Sequence, residues 1–309
     1  MEPEIVFSHT NCRTKEPTEF LSQFLQARLI FTIPDLPNIE NNEIVILSSK
    51  FFLKILSDST RWFIDATFKV CPKRYSQLLV LQPTGTNVPV AFILMTSKRE
   101  ISYDYAFSTL TQSLENHKLT TRVKEMMTDF EPGLRNSLAN HFPQVTIHGC
   151  YFHFCKALWA KASILGLRKK NLLTDTKILI FLVKILAHIP NNEDRKLFWL
   201  NTKEFYSEKS AFKQFLQYIE RYWIQEPIVN PPKNLTDKIE RTNNACESFH
   251  RYFKSFIGSN HPSLGVFINN LLEYESTLKS KLLYQMREAS FSIQNKKYLK
   301  RIFCQLKRW

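Results

Sequence analysis

From Trp62 to Val70 the chain alternates, with Ile64, Ala66, Phe68 and Val70 on one side and Phe63, Asp65, Thr67 and Lys69 on the other. Period two predicts a strand with one buried face. Two further strands are expected at Gln77 to Gln82 and Val88 to Thr96, joined by the turn Pro83-Thr84-Gly85-Thr86-Asn87, because Gly and Asn favour tight reversals. Short connections imply antiparallel pairing, since parallel strands need a longer crossover. The spacing then becomes helical from Ser102 to His117, extended from Val123 to Thr128, helical again after Pro132 and extended at Val145 to Ile147. A meander of three strands followed by helix, strand, helix and strand predicts a mixed α/β sheet of the RNase H-like order. In that order the fourth strand lies beside the strand of Asp65.

The flanks read as helical. Thr18 to Leu29 and Glu43 to Leu56 have helical spacing, separated by a proline-bearing link from Ile33 to Asn42. Beyond Phe152 come helical stretches at Leu158 to Leu167, Thr176 to His188, Arg195 to Tyr206 and Ala211 to Tyr222. A rigid link with Pro227 and Pro231-Pro232 closes them. A helix from about Asn243 to Phe256, a break from Gly258 to Pro262 and a long carboxy-terminal helical region follow.

Charge narrows the partners. The 309 residues carry a net charge of +14, which favours a polyanion, nucleic acid before an acidic membrane surface. No signal peptide is read at the amino terminus, where Glu2 and Glu4 interrupt any apolar segment. The longest apolar run, Ile178 to Val183, stops at Lys184, too short for a membrane span. The six cysteines lack a secreted-type framework and fit a reducing compartment. Arg168-Lys169-Lys170 and the basic residues from Lys296 to Arg301 are candidate nuclear import signals, or solvated basic faces.

Three acids stand out by position. Asp65 is mid-strand, where Asp is rarely kept for packing. Alone it reads as a satisfied polar residue on a solvated face. Asp129 follows the fourth strand at a strand-to-helix loop, a common place for ligand groups in α/β sheets. Glu247 lies on an amphipathic helix with Phe249, Phe253 and Phe256 on one face and Glu247, Arg251 and Lys254 on the other. For Glu247 alone, an ordinary Glu247–Arg251 surface pair is the favoured reading of that face; a phosphate-contacting role beside a metal-binding carboxylate is the other. Three carboxylates suit phosphodiester chemistry, in which two divalent ions stabilise the attacking and leaving oxygens and require hard oxygen ligands. Trp199 and Trp223 are core residues or platforms for an extruded base.

Four ordered blocks resemble the catalytic domain of Mutator-like element (MULE) transposases. They are Asp65-Ala66-Thr67-Phe68, Met127 to Leu134, Gly149-Cys150-Tyr151-Phe152-His153, and Arg241 to His250. The resemblance implies an RNase H-like fold with an Asp65, Asp129, Glu247 metal triad, two Mg²⁺ or Mn²⁺ ions, and a Cys150-x-x-His153 element supporting the site. It implies double-stranded DNA as substrate, with transposon ends and target brought together in a homo-oligomer in the nucleus. Arg251 and Lys254 are the expected backbone contacts. The implied organisation is a mostly helical region over 1–60, the first part of the catalytic core over 61–157, a helical insertion over 158–239, and the catalytic and carboxy-terminal helices over 240–309. Ala66 stands where the family commonly has Gly. Cys12 and His9 make no finger spacing, so no zinc-binding recognition module is read before Arg61. The alternative is a domesticated DNA-binding regulatory protein that no longer uses its triad.

Overall fold

The computed structural model describes residues 25–31, 42–86, 88–189, 191–224 and 244–289. The chain is a mixed α/β protein built on a seven-stranded sheet. Strands β1 (Leu25–Phe31), β2 (Asn42–Leu47), β3 (Arg61–Thr67), β4 (Gln77–Pro83), β5 (Ala91–Met95), β6 (Glu125–Thr128) and β7 (Thr146–Gly149) are ordered β1-β2-β5-β4-β3-β6-β7. The pairs from β1 to β3 are antiparallel, and β3, β6 and β7 run parallel. The predicted meander is therefore β3, β4 and β5, and β6 does lie beside the strand of Asp65.

Helices cover both faces. Asp65 pairs with Val80 and Val80 with Phe92, so these three side chains share one face of the sheet. Helices α8 (Asn244–Ile257) and α9 (Leu264–Ala289) cover it, with Phe92 against Phe249 and Tyr274. Trp62 points the other way. Its indole N–H donates to the Leu56 carbonyl at the end of α1 (Lys50–Asp58), and its ring meets Phe142, which in turn meets Phe107 of α2 (Glu100–Asn116). Between β6 and β7 runs α3 (Pro132–His141), which starts on the predicted proline.

After β7 the chain is helical, with α4 (Tyr151–Ile164), α5 (Leu173–Leu186), α6 (Asn192–Ser207), α7 (Lys213–Ile219) and a final π turn at Glu220–Ile224. These helices bury their own core around Phe154, Leu158, Leu179, Trp199, Tyr206 and Phe215. Trp199 is a core residue. Among the described residues no helix is long and apolar enough to cross a membrane.

Two expectations are corrected. Glu43 to Leu56 is not one helix but β2 followed by α1, and the Leu25–Leu29 part of the other expected helix is in β1. The run from Ile44 to Leu47 is buried throughout because β1 and β5 flank it and layers cover it, and continuous burial erases the period that separates strand from helix. The strand of Asp65 is covered on both faces rather than one, with Trp62, Phe63, Ile64 and Asp65 all buried. Phe68, expected on its inner face, lies beyond the strand end and is exposed. Thr18 to Phe24, His9 and Cys12, the link with Pro227 and Pro231-Pro232, the start of the fourth block at Arg241 to Asn243, and the basic residues from Lys296 to Arg301 lie outside the described residues. Arg168, Lys169 and Lys170 occupy an exposed turn between α4 and α5.

Candidate active site

Parallel pairing builds the site. Phe63 is level with Met127 in the β3–β6 register, so Asp65 and Asp129, each two residues further on, emerge side by side at the carboxyl ends of the two strands. At the opposite end Arg61 and Glu125, also in register, form an ion pair that pins this alignment. The sequence expectation that the aspartates meet at one sheet edge holds in this geometry.

Asp65 is only 4% exposed. A buried carboxylate needs partners, and two histidines supply them. His250 Nε2, from α8, lies 2.9 Å from Asp65 Oδ2, and His153 Nε2, from the first turn of α4, lies 4.0 Å from Oδ1. Asp129 Oδ1 accepts from the Glu131 N–H at 3.2 Å, which closes the turn into α3. Burial raises the Asp129 pKa above the usual carboxylate range, and the charge of Asp65 adds to the rise, against the opposing influence of His153 and Lys98. Glu131 is likewise raised, first by burial and also by the charge of Asp129, while the Tyr103 hydroxyl donates to it at 2.9 Å. Tyr103 itself receives a hydrogen bond from Gln77 Nε2 at 2.7 Å.

Cys150 is fully buried at the start of α4, and its N–H donates to the Thr128 carbonyl at 2.8 Å. That bond ties α4 to the end of β6. Cys246, fully buried on the first turn of α8, has its thiol pKa pushed well up by burial, with the charges of Asp65 and Glu247 and the thiol of Cys150 acting in the same direction. Glu247 is half-buried on the same helix, three residues before His250. An i,i+3 spacing puts the two on one flank of α8, the flank through which His250 reaches Asp65. Glu247 makes no ion pair with Arg251 among the described residues, and Arg251 and Lys254 are exposed on the outer side of α8.

The structure thus brings together Asp65, Asp129 and His153, with Cys150 packed behind them. Glu247 stands on the adjoining helix flank, and among the described residues no hydrogen bond joins it to either aspartate. Among those residues, too, no three His, Cys, Asp or Glu side chains converge as ligands of one metal ion. The two adjoining carboxylates, Asp65 buried and Asp129 half-buried, have the hard-oxygen chemistry a divalent cation takes. Sequence reasoning gave no role to His250 or Glu131. His250 had a signal, its helical spacing from Glu247. Glu131 had none, since its part depends on the distant Tyr103.

Residues 61–157 match the family model of the MULE transposase domain, and no curated protein matches the chain. The matched span runs from β3 into α4 and contains Asp65, Asp129, Cys150 and His153, whereas Glu247, Arg251 and Lys254 lie beyond it.

Proposed function

We propose that this protein is a nuclear DNA transposase of the Asp-Asp-Glu type, which cuts phosphodiester bonds at transposon ends and transfers the freed strand to target DNA. The observation that carries this reading is the placement of Asp65 beside Asp129 past the last in-register pair of parallel strands β3 and β6, inside the segment that matches a MULE transposase domain. The strand order β5-β4-β3-β6-β7, antiparallel in its first three members and parallel in its last three, supports an RNase H-like core with β1 and β2 added at one edge.

Asp65 and Asp129 would hold Mg²⁺ or Mn²⁺, and Glu247, on the α8 flank that faces β3, is the third acid of the proposed set. Bound ions supply Lewis-acid stabilisation of the attacking and leaving oxygens. The protein's own residues do the rest. His250 and His153 fix the orientation of Asp65, Cys150 anchors α4 beneath Thr128, and the exposed Arg251 and Lys254 offer cations to the DNA backbone. Joining two ends requires a second subunit, so the working form in this proposal is a homo-oligomer.

The test is nicking of duplex DNA bearing the element's terminal repeats by the purified protein with Mn²⁺. Cleavage is expected to need the metal and to fall by at least about a hundredfold in Asp65→Asn, the scale on which loss of a central electrostatic group is felt. Equal behaviour of the two proteins would overturn the assignment. Binding without cleavage in either would point to the regulatory alternative.

A further inference from the structure

We propose that Phe68, just past the carboxyl end of β3, is a stacking platform for a nucleobase drawn out of the DNA strand beside the scissile phosphate, with Lys98 as its companion cation. Phe68 follows Asp65 by three residues, and three residues of chain span at most about 11 Å. It is 45% exposed. The Lys98 ammonium lies over its ring, 3.7 Å from the centroid. Lys98 in turn borders the Asp129 turn, since its carbonyl oxygen is 3.5 Å from where a Cβ on Gly133, in the first turn of α3, would stand. Burial raises the Asp129 and Glu131 pKa values, and the charge of Lys98 works against both rises. The ring, the cation and the two aspartates therefore share one edge of the sheet.

An exposed aromatic needs no explanation by itself. Phe68 is different because its turn is fastened from several sides while its ring is left in water. Val70 and Cys71 are buried beside it. The Phe68 carbonyl accepts from the Cys71 N–H at 3.3 Å, the Lys69 carbonyl accepts from the His261 N–H at 3.2 Å, and His261 Nδ1 lies 3.0 Å from the Cys71 carbonyl. A phenyl ring has no polar tip to satisfy in solvent, so a backbone held in this way presents apolar surface that is unfavourable until something covers it. A nucleobase suits the face that Lys98 leaves open, because every base has a flat π-surface and stacks on aromatic rings with little regard to sequence. The ammonium adds attraction for the phosphate next to that base. The two tryptophans weighed as base platforms are engaged elsewhere: Trp199 is buried, and Trp223 packs on Phe130 and Phe154. The inference rests on the proposed function only for the position of the scissile phosphate.

The test is binding of two labelled duplexes by the full chain, followed by anisotropy without divalent metal. In one duplex a single adenine faces an abasic site and is already unpaired, which lowers the cost of drawing it out. The other has abasic sites in both strands at that position. Wild type is expected to prefer the first by about tenfold, the scale of one stacked base. Phe68→Leu should lose that preference while binding the second duplex as wild type does, and Phe68→Tyr should restore it. An unchanged melting temperature verifies that each variant is folded. Lys98→Gln should weaken binding to both duplexes, with a log–log salt slope shallower by about 0.9. Equal affinity of wild type for the two duplexes, a preference that survives in Phe68→Leu, or an equal loss on both duplexes in that variant would overturn the proposal. Asp65→Asn separates this inference from the catalytic one, because it is expected to remove nicking and keep the preference for the unpaired base.

Discussion

Asp129 shows how a single side chain records the demand of its site. It is half-buried beside another carboxylate, and desolvation first, then that neighbour's charge, raise its pKa. A group that holds its proton more tightly folded than unfolded opposes folding once it must ionise. Below the ordinary Asp pKa of about 3.9 both states are protonated and nothing is lost. As pH rises, the unfolded chain releases its proton first, so the contribution of Asp129 to stability falls until the folded group has ionised too, and then levels off. Asp129→Asn keeps an oxygen for the Glu131 N–H and cannot ionise. In metal-free buffer its melting temperature, relative to wild type, is expected to climb from about pH 4 upward and then reach a plateau. Melting curves of both proteins from about pH 3 to about pH 8 check this, and an advantage that shrinks with rising pH would contradict it. His250 offers Asp65 a donor at 2.9 Å, and a hydrogen bond to a charged group contributes about 1.5–3 kcal/mol.

At the level of elements, the approach of α3 to α2 explains one glycine. A Cβ on Gly133 would lie 3.1 Å from the Glu100 backbone nitrogen and 3.3 Å from its Cα, neither of which is a flexible side-chain end. Gly133→Ala must push the two helices apart, and overpacking of this kind costs about 1–3 kcal/mol. Urea unfolding should show a lowered midpoint, and because α3 begins three residues after Asp129, cleavage should fall with it. What the sequence disclosed of these elements follows from how local their signals are. Strand β3 announces itself through alternation, β4 and β5 through apolar runs on either side of the Gly85 turn, and parallel pairing then brings Asp65 to Asp129. Strand β2, as continuously buried as β4 and β5, has no tight turn joining it to β5, its partner far along the chain, and so carried no comparable signal. The break between α8 and α9 was legible in Gly258, which takes a φ of 71° that other residues rarely adopt. His250 became part of the site only when α8 was seen to cross β3, a contact spanning 185 residues.

Across the whole molecule, two hydrophobic cores have to stay in register for the site to hold its shape. One lies around the sheet with α8 and α9, the other within α4 to α7. They meet beside the edge that carries Asp65 and Asp129, since Phe130, the residue after Asp129, packs against the second core. Its ring meets Trp223 edge-on at 4.8 Å, and Trp223 also meets Phe154 of α4 at 4.7 Å. The helical segment therefore grips the Asp129 turn from outside through a residue that sequence reasoning weighed only as core or base platform. Trp223 is half-buried, so Trp223→Ala should cost less than removal of a fully buried aromatic, about 2 kcal/mol against 3–5. Its effect on cleavage should be larger than that loss of stability alone would produce. A turn released by even about 1 Å moves Asp129 relative to Asp65, and misplacement on that scale costs about ten- to a hundredfold in rate. Trp223→Phe keeps an aromatic edge on Phe130 and is expected to restore most of the cleavage. Nicking assays run well below the melting temperature of each variant separate the two effects. Full activity in Trp223→Ala would mean that the sheet holds Asp129 without help from the helical segment.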